Sequence, residues 1–277
     1  MPGTTHGSPR RLSLPTWRFV AVLAQEVKYA FIRTPLERPL MHVREAVGWP
    51  KRRRAPELKE IHAEFGRIEA AFRKFVKPDT NCIDVGCHYG STLSRFCSLA
   101  PSGHHIAFEA IPTKARFLRR KFPDVEIMEM AVADQEAIVE FFVKTKASGF
   151  SSMAQYGEGD DTCIQVRAAR LDDVVPNDRR YGMLKVDVEG AELKVFDGAR
   201  TLLARDRPTI LFECGPGGPA AFGYSPEDLY DLMGELGYGV YFLKDALADG
   251  PPVERKAFAN ASQYPFQAFN WVARPNA

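Results

Sequence analysis

Residues 184–192, LKVDVEGAE, place Lys185, Asp187 and Glu189 at alternate positions against an apolar set of Leu184, Val186 and Val188. Side chains alternate faces along a strand, so the three charged groups share one face. Carboxylates so arranged can serve as general bases toward an acceptor or hold a divalent cation. A second stretch, IDVGCHYG at 83–90, carries Asp84 and closes an apolar run on two glycines. Gly86 lets the backbone turn sharply beside a ligand, and Gly90 lets a helix start close to it. The third piece is Glu109, the acid near the end of HHIAFEA (104–110). At the tip of a nucleotide-binding strand, a carboxylate can accept hydrogen bonds from two ribose hydroxyls.

These residues need elements to position them, and strand and helix signals alternate along the chain. Leu58, Ile61, Phe65, Ile68, Phe72 and Phe75 recur at steps of three and four, the pattern of an amphipathic helix. The runs at 104–110, 125–133, 137–143, 163–171 and 208–213 read as strands, with a basic helical run from Pro112 to Phe122 after the first. AELKVFDGARTLL (191–203) reads as one helix after the charged strand, and Ser225, Pro226, Glu227 and Asp228 open another with a cap, a proline and early acids. YGVYFL (238–243) and FQAFNWVA (266–273) can close the sheet as a hairpin. Such alternation predicts a parallel, doubly wound α/β sheet whose ligands bind beyond the carboxyl ends of the strands. Its central strands are buried on both faces, so Lys185 and the acids require partners. Lys185 is expected to pair with Asp84 or Glu213, with Asp187 and Glu189 reaching the strand end.

The stretches IDVGCHYG (83–90), AFEAIP (107–112), MAVAD (130–134), SGFSSM (148–153), LKVDVEGAELKVFDGA (184–199) and ILFEC (210–214) resemble, in the same order, those of the FkbM-type S-adenosylmethionine (SAM) dependent methyltransferases. The resemblance implies a Rossmann-like class I methyltransferase with a mostly parallel seven-stranded sheet, an antiparallel closing strand and helices on both faces. It places Asp84, Gly86 and Gly90 around the methionine end of SAM and Glu109 on the ribose. Ala131 to Asp134 would edge the adenine, with Asp134 beside its amino group, while Asp187 and Glu189 would face the sulfonium and the acceptor. Where the family often has asparagine after the first glycine, this chain has Cys87 and His88.

The expected activity is O-methyl transfer, with a sugar hydroxyl of a glycan, glycolipid or glycosylated natural product as acceptor. Asp187, Glu189, Glu213 and His88 are the candidate bases, with Lys185 completing the charged set. Methylation of a carboxyl or another small molecule is an alternative, as is a non-catalytic binding module on the same fold. Mg²⁺ is an option for the acids, disfavoured by the lack of a compact acidic run. The glycine spacing is not the dinucleotide G-x-G-x-x-G.

The 277 residues, 45% hydrophobic and 26% charged, suit a globular chain. Residues 1–54 carry eleven Lys/Arg against three Asp/Glu, a net +8, and the remainder is net −6. Trp17, Val20, Leu23, Val27 and Phe31 form an apolar stripe flanked by Arg18, Lys28 and Arg33, with KRRR at 51–54 behind it. Such a segment suits a membrane surface, a second copy of the chain, or packing on its own domain. Nucleic acid is not expected, because no recognition motif accompanies the charge. Residues 1–57 thus read as a basic helical extension and 58–277 as the methyltransferase domain. FVAVLA (19–24) is too short to span a bilayer. Cys82, Cys87, Cys97, Cys163 and Cys214, odd in number and without a C-x-x-C pair, suit reduced thiols in the cytoplasm.

Overall fold

The computed structural model describes residues 29–37, 39, 58–144, 151–154 and 161–276. Helix α1 (Lys59–Phe75) buries Ala71 and Phe72 but leaves Phe65, part of its apolar spacing, 47% exposed. Strand β1 (Cys82–Val85) runs through the glycine turn into α2 (Ser91–Leu99). Then come β2 (His105–Phe108), α3 (Pro112–Lys121) and β3 (Glu126–Met128). β4 (Ala131–Val132), β5 (Ala137–Lys144), β6 (Asp161–Ala169) and the short α4 (Leu171–Val174) precede the charged strand β7 (Met183–Val186). It is followed by α5 (Glu192–Asp197), α6 (Arg200–Asp206), β8 (Thr209–Glu213), α7 (Gly218–Ala221) and α8 (Pro226–Glu235). The chain ends with β9 (Tyr238–Phe242), α9 (Leu243–Leu247), α10 (Arg255–Asn260) and β10 (Asn270–Pro275).

Seven strands form one sheet in the order β3-β2-β1-β7-β8-β10-β9. Its pairings are parallel except those of β10, which runs antiparallel to both β8 and β9. This is the mostly parallel, Rossmann-like seven-stranded sheet with an antiparallel closing strand that the resemblance implies. Alternate residues feed two cores. Ile83, Leu184, Ile210 and Phe212 pack with Val195, Phe196, Leu202 and Leu229 from α5, α6 and α8. Cys82, Met183, Leu211 and Val272 meet Phe72, Phe96 and Leu243 from α1, α2 and α9 on the opposite face.

Three details depart from the sequence reading. The run at 125–133 is two strands: β3 stays at the edge of the main sheet, while β4 joins a separate three-stranded sheet, β4-β6-β5. The helix expected over 191–203 breaks at Gly198, where a β-carbon would lie 2.1 Å from the Ala133 carbonyl oxygen. Asp172 accepts from Thr201 N and Leu202 N, capping the new helix start. The closing strands pair antiparallel, with α9 and α10 between them instead of a tight hairpin turn.

Ser225 caps α8 as expected, in a reciprocal box with Asp228. Of the N-terminal stripe, Phe31 is exposed, while the neighbouring Ile32 is buried against Cys87, Tyr89 and Leu93. The stripe from Trp17 to Val27 and the basic run at 51–54 lie outside the described residues. Among those described, no helix is long and apolar enough to cross a membrane.

Candidate active site

The carboxyl ends of β1 and β7 meet at a single close approach. Gly86, at φ +75°, donates its N–H to the Phe108 carbonyl, and Asp187 N donates to the Val85 carbonyl at 3.1 Å. A β-carbon on Gly86 would sit 1.9 Å from the Asp187 carbonyl oxygen, so this crossing admits only glycine. Gly90, at φ +83°, starts α2 against Phe122 and Leu118, which a β-carbon would strike at 2.6 and 2.8 Å. Gly90 therefore answers to packing against α3, not to the cleft wall. His88 between them also has a positive φ of 52°, and it lines the cleft.

Register explains the buried charges. Lys185 lies opposite Asp84 on β1 and Leu211 on β8, all on the face that meets α1 and α2. Its ammonium sits 3.0 Å from Asp187 Oδ2 and 3.7 Å from Asp84 Oδ1, and donates to the Gly86 carbonyl at 3.3 Å. Asp84 is fully buried and neither carboxylate oxygen has a hydrogen-bond partner, so desolvation outweighs Lys185 and pushes its pKa up to about 6. Of the two partners expected for Lys185, the structure selects Asp84 and adds Asp187.

Glu213 instead hydrogen-bonds Asp187. Burial, then the neighbouring Asp187 charge, hold Glu213 well above the usual carboxylate range. Burial acts on Asp187 in the same direction, but Lys185 and the Glu213 hydrogen bond outweigh it and keep Asp187 below its ordinary value. In this close pair the proton is thus biased toward Glu213 and away from Asp187. One oxygen from each of Asp187, Glu189 and Glu213 falls within 4.8 Å of the others, a spacing compatible with a cation.

On the other wall, Glu109 is 5% exposed and accepts from Ile111 N at 2.8 Å. Burial raises its pKa, opposed first by Lys114, a lysine that is itself 4% exposed on the cleft wall. Ala131 lines the cleft with Met130, Val132 and Phe141. Asp134 does not: its carboxylate is engaged by Lys194 at 3.2 Å, away from the cleft wall. The free space within the cleft is narrow, about 60 Å³. Preformed sites for small ligands hold roughly 300–1,000 Å³, so a nucleoside must part these side chains to enter.

The turn after Asp187 is gripped from three directions. Glu189 sits at φ +56°, a conformation that side chains adopt only where surroundings impose it. Glu192, 1% exposed, accepts from Val188 N and Gly190 N, and Tyr224 donates to the Gly190 carbonyl at 2.8 Å. Ser152 donates to the Glu189 carbonyl at 3.0 Å, which gives the SGFSSM stretch a place at the site. Gly149 lies outside the described residues. The glycine-rich turn GPGGPAAFGY (215–224), expected beside the acceptor, contributes Tyr224, whereas Lys114 and Glu192 escape the sequence reading as site residues; of these two only Glu192 left a signal, the last acid of the K-x-D-x-E-G-x-E stretch.

A family model described as the methyltransferase FkbM domain matches residues 84–240. No curated protein matches the chain. Among solved structures, it is similar to a methyltransferase FkbM from Methylobacillus flagellatus KT, at 13% identity and a TM-score of 0.44 over 72% of this chain. The chain spans 44% of that protein's length. It is also similar to a TehB-like SAM-dependent methyltransferase from Corynebacterium glutamicum ATCC 13032 Kitasato, at 12% identity and a TM-score of 0.40, covering 86% of this chain and all of the other. A ribosomal protein L11 methylase from Lactobacillus delbrueckii subsp. bulgaricus shows 10% identity and a TM-score of 0.41 over 79% of each chain.

Proposed function

The chain belongs to the FkbM methyltransferase family, and from that premise we propose that it transfers the methyl group of SAM to a hydroxyl of a sugar-containing acceptor. The observation that carries the choice of acceptor is the carboxyl group cluster at the end of β7 and β8. Three carboxyl groups, Asp187, Glu189 and Glu213, against the one ammonium of Lys185 leave this rim acidic, which disfavours an incoming carboxylate, whereas a neutral hydroxyl finds hydrogen-bond acceptors. This favours a hydroxyl over a carboxyl acceptor.

The residues present fit the cofactor. Glu109 offers a strand-tip carboxylate whose acceptor positions exceed the bonds from the backbone N–H groups of Ile111 and His88, and Met130, Ala131, Val132 and Phe141 form an apolar slot beside it. Bound there, SAM supplies an electrophilic methyl on a sulfonium. Glu109 would hold the ribose, the 86–90 turn the methionine end, and Asp187 would face the acceptor oxygen. Asp187, paired with Lys185, would take the hydroxyl proton, so that methyl transfer with cleavage of the sulfur–methyl bond would leave a neutral methyl ether and S-adenosylhomocysteine; a positioned base contributes typically 10²–10⁴-fold. Asp134, on which a contact to the adenine amino group was expected, keeps its pairing with Lys194 in this account. Mg²⁺ at the three acids is the lesser reading, because Lys185 already neutralises Asp187.

Calorimetry of SAM with the purified chain, with Mg²⁺ and with EDTA, tests the reading. Wild-type binding weakened about tenfold or more in Glu109→Ala is the expected result, a loss of about 1.4 kcal/mol. Unchanged affinity in that variant removes Glu109 from the ribose. No binding under any condition favours a binding module on a methyltransferase fold. Methyl transfer to sugar hydroxyls, against carboxylate acceptors as the comparison, then tests the acceptor.

A further inference from the structure

Residues 29–37 precede the family-matched region, yet they pack on the cofactor-side turn. Tyr29 stacks on Tyr89 with ring centroids 4.4 Å apart and 11° between planes, and meets His88 edge-on at 5.4 Å. His88 and Tyr89 meet edge-on in turn at 4.7 Å, so the three rings close a triangle over the turn. Behind it, Tyr89 contacts Phe117 at 5.2 Å, and the Lys114 ammonium lies 5.7 Å from its ring centre.

Two members of this cluster reach the cleft directly, since His88 and Lys114 both line it. The segment itself is fastened to the domain. Lys121 Nζ donates to the Ala30 carbonyl at 2.7 Å, Arg33 bonds the Lys121 carbonyl and Asp124, and Ser94 Oγ donates to Glu37 at 2.7 Å. Ile32 is buried beside Tyr89. Gly86, His88 and Gly90 all have positive φ, and of these only His88 carries a side chain that disfavours it. Such a conformation persists where neighbours over-determine it, and Tyr29 touches both His88 and Tyr89.

We propose that Tyr29 is a positioning residue of the cofactor site, holding the 86–90 turn and the His88 wall in the shape that binds SAM. The inference rests on the SAM reading above and extends the site beyond the family-matched residues. It assigns part of the basic N-terminal segment to the chain's own domain, where it cannot serve as a free anchor.

The test is calorimetry of SAM with the full chain, comparing wild type, Tyr29→Ala, Tyr29→Phe, Tyr29→Leu, His88→Ala and the Tyr29→Ala/His88→Ala double variant. Tyr29→Ala should bind about tenfold more weakly, and Tyr29→Phe, which keeps the ring, within about twofold of wild type. Tyr29→Leu keeps apolar contact but not the stack, and should lose affinity while melting near the wild-type temperature. In the His88→Ala background the loss on removing Tyr29 should shrink, because the two act together. Wild-type affinity in both Tyr29→Ala and Tyr29→Leu overturns the proposal, as does a loss that tracks the melting temperature and adds fully to His88→Ala. If wild type binds no SAM, the cofactor reading and this proposal fall together; if it binds and the variants match it, only the proposal falls.

Discussion

Asp187 is asked to be both a partner of Lys185 and the acceptor-side base, and the two roles separate by substitution. Asp187→Asn keeps the shape but removes the charge, so SAM affinity should stay within about threefold while methyl transfer falls by roughly 10²–10⁴-fold. A variant of undiminished turnover would return the residue to a purely structural part. Glu213, whose surroundings favour its protonated form, marks a limit of reading single strands. Its expected pairing with Lys185 ignored register: Lys185 faces Leu211 across β8, and Glu213 lies two residues further on, level with Asp187. Alternation reveals which residues share a face, but only the strand pairing shows which of them touch.

At the level of elements, the glycine turn makes the sharpest demand. Gly86→Ala would add a β-carbon at 1.9 Å from the Asp187 carbonyl and force a positive φ worth about 1–2 kcal/mol on its own. Urea denaturation should show a loss exceeding that figure, and calorimetry should show SAM binding lost with it. Gly66→Ala in α1 is the contrast: nothing lies within 4 Å of the added carbon, so the helix should gain about 0.5–1 kcal/mol. The glycine turn, the charged strand and the Ser225 cap were legible because each is encoded within a few adjacent residues. The break of the 191–203 helix was not, since Gly198 is pressed by Ala133 from a distant part of the chain. The same holds for Lys114 and Tyr29, whose places at the site depend on α3 and the N-terminal segment folding over one turn. The division of 125–133 between two sheets hides in a continuous apolar run, because β4 leaves the edge of one sheet to pair with β6.

For the molecule as a whole, buried carboxyls set how stability follows pH. Burial, acting first, raises Asp84 to about 6 and Glu192 to about 7, above the ordinary values of 3.8 and 4.5. The folded state therefore binds more protons than the unfolded one between those values, so their contribution is complete below about pH 4 and is lost as pH rises toward 7. Urea midpoints taken across this window should fall with rising pH, and Glu192→Gln should flatten the part between about 4.5 and 7. An unchanged slope in that variant would show that Glu192 keeps an ordinary pKa. The sheet carries a further consequence at this scale through β10, which lies between two strands that both precede it. While the polypeptide is being synthesised, β8 and β9 present facing edges with no strand between them until residues 270–275 emerge. Glu64 of α1, which accepts from Phe269 N and Asn270 N, must likewise wait for that same stretch. Completion of the sheet thus waits for the last of its strands in chain order, and until then the chain offers an open β edge to chaperones or to other nascent copies.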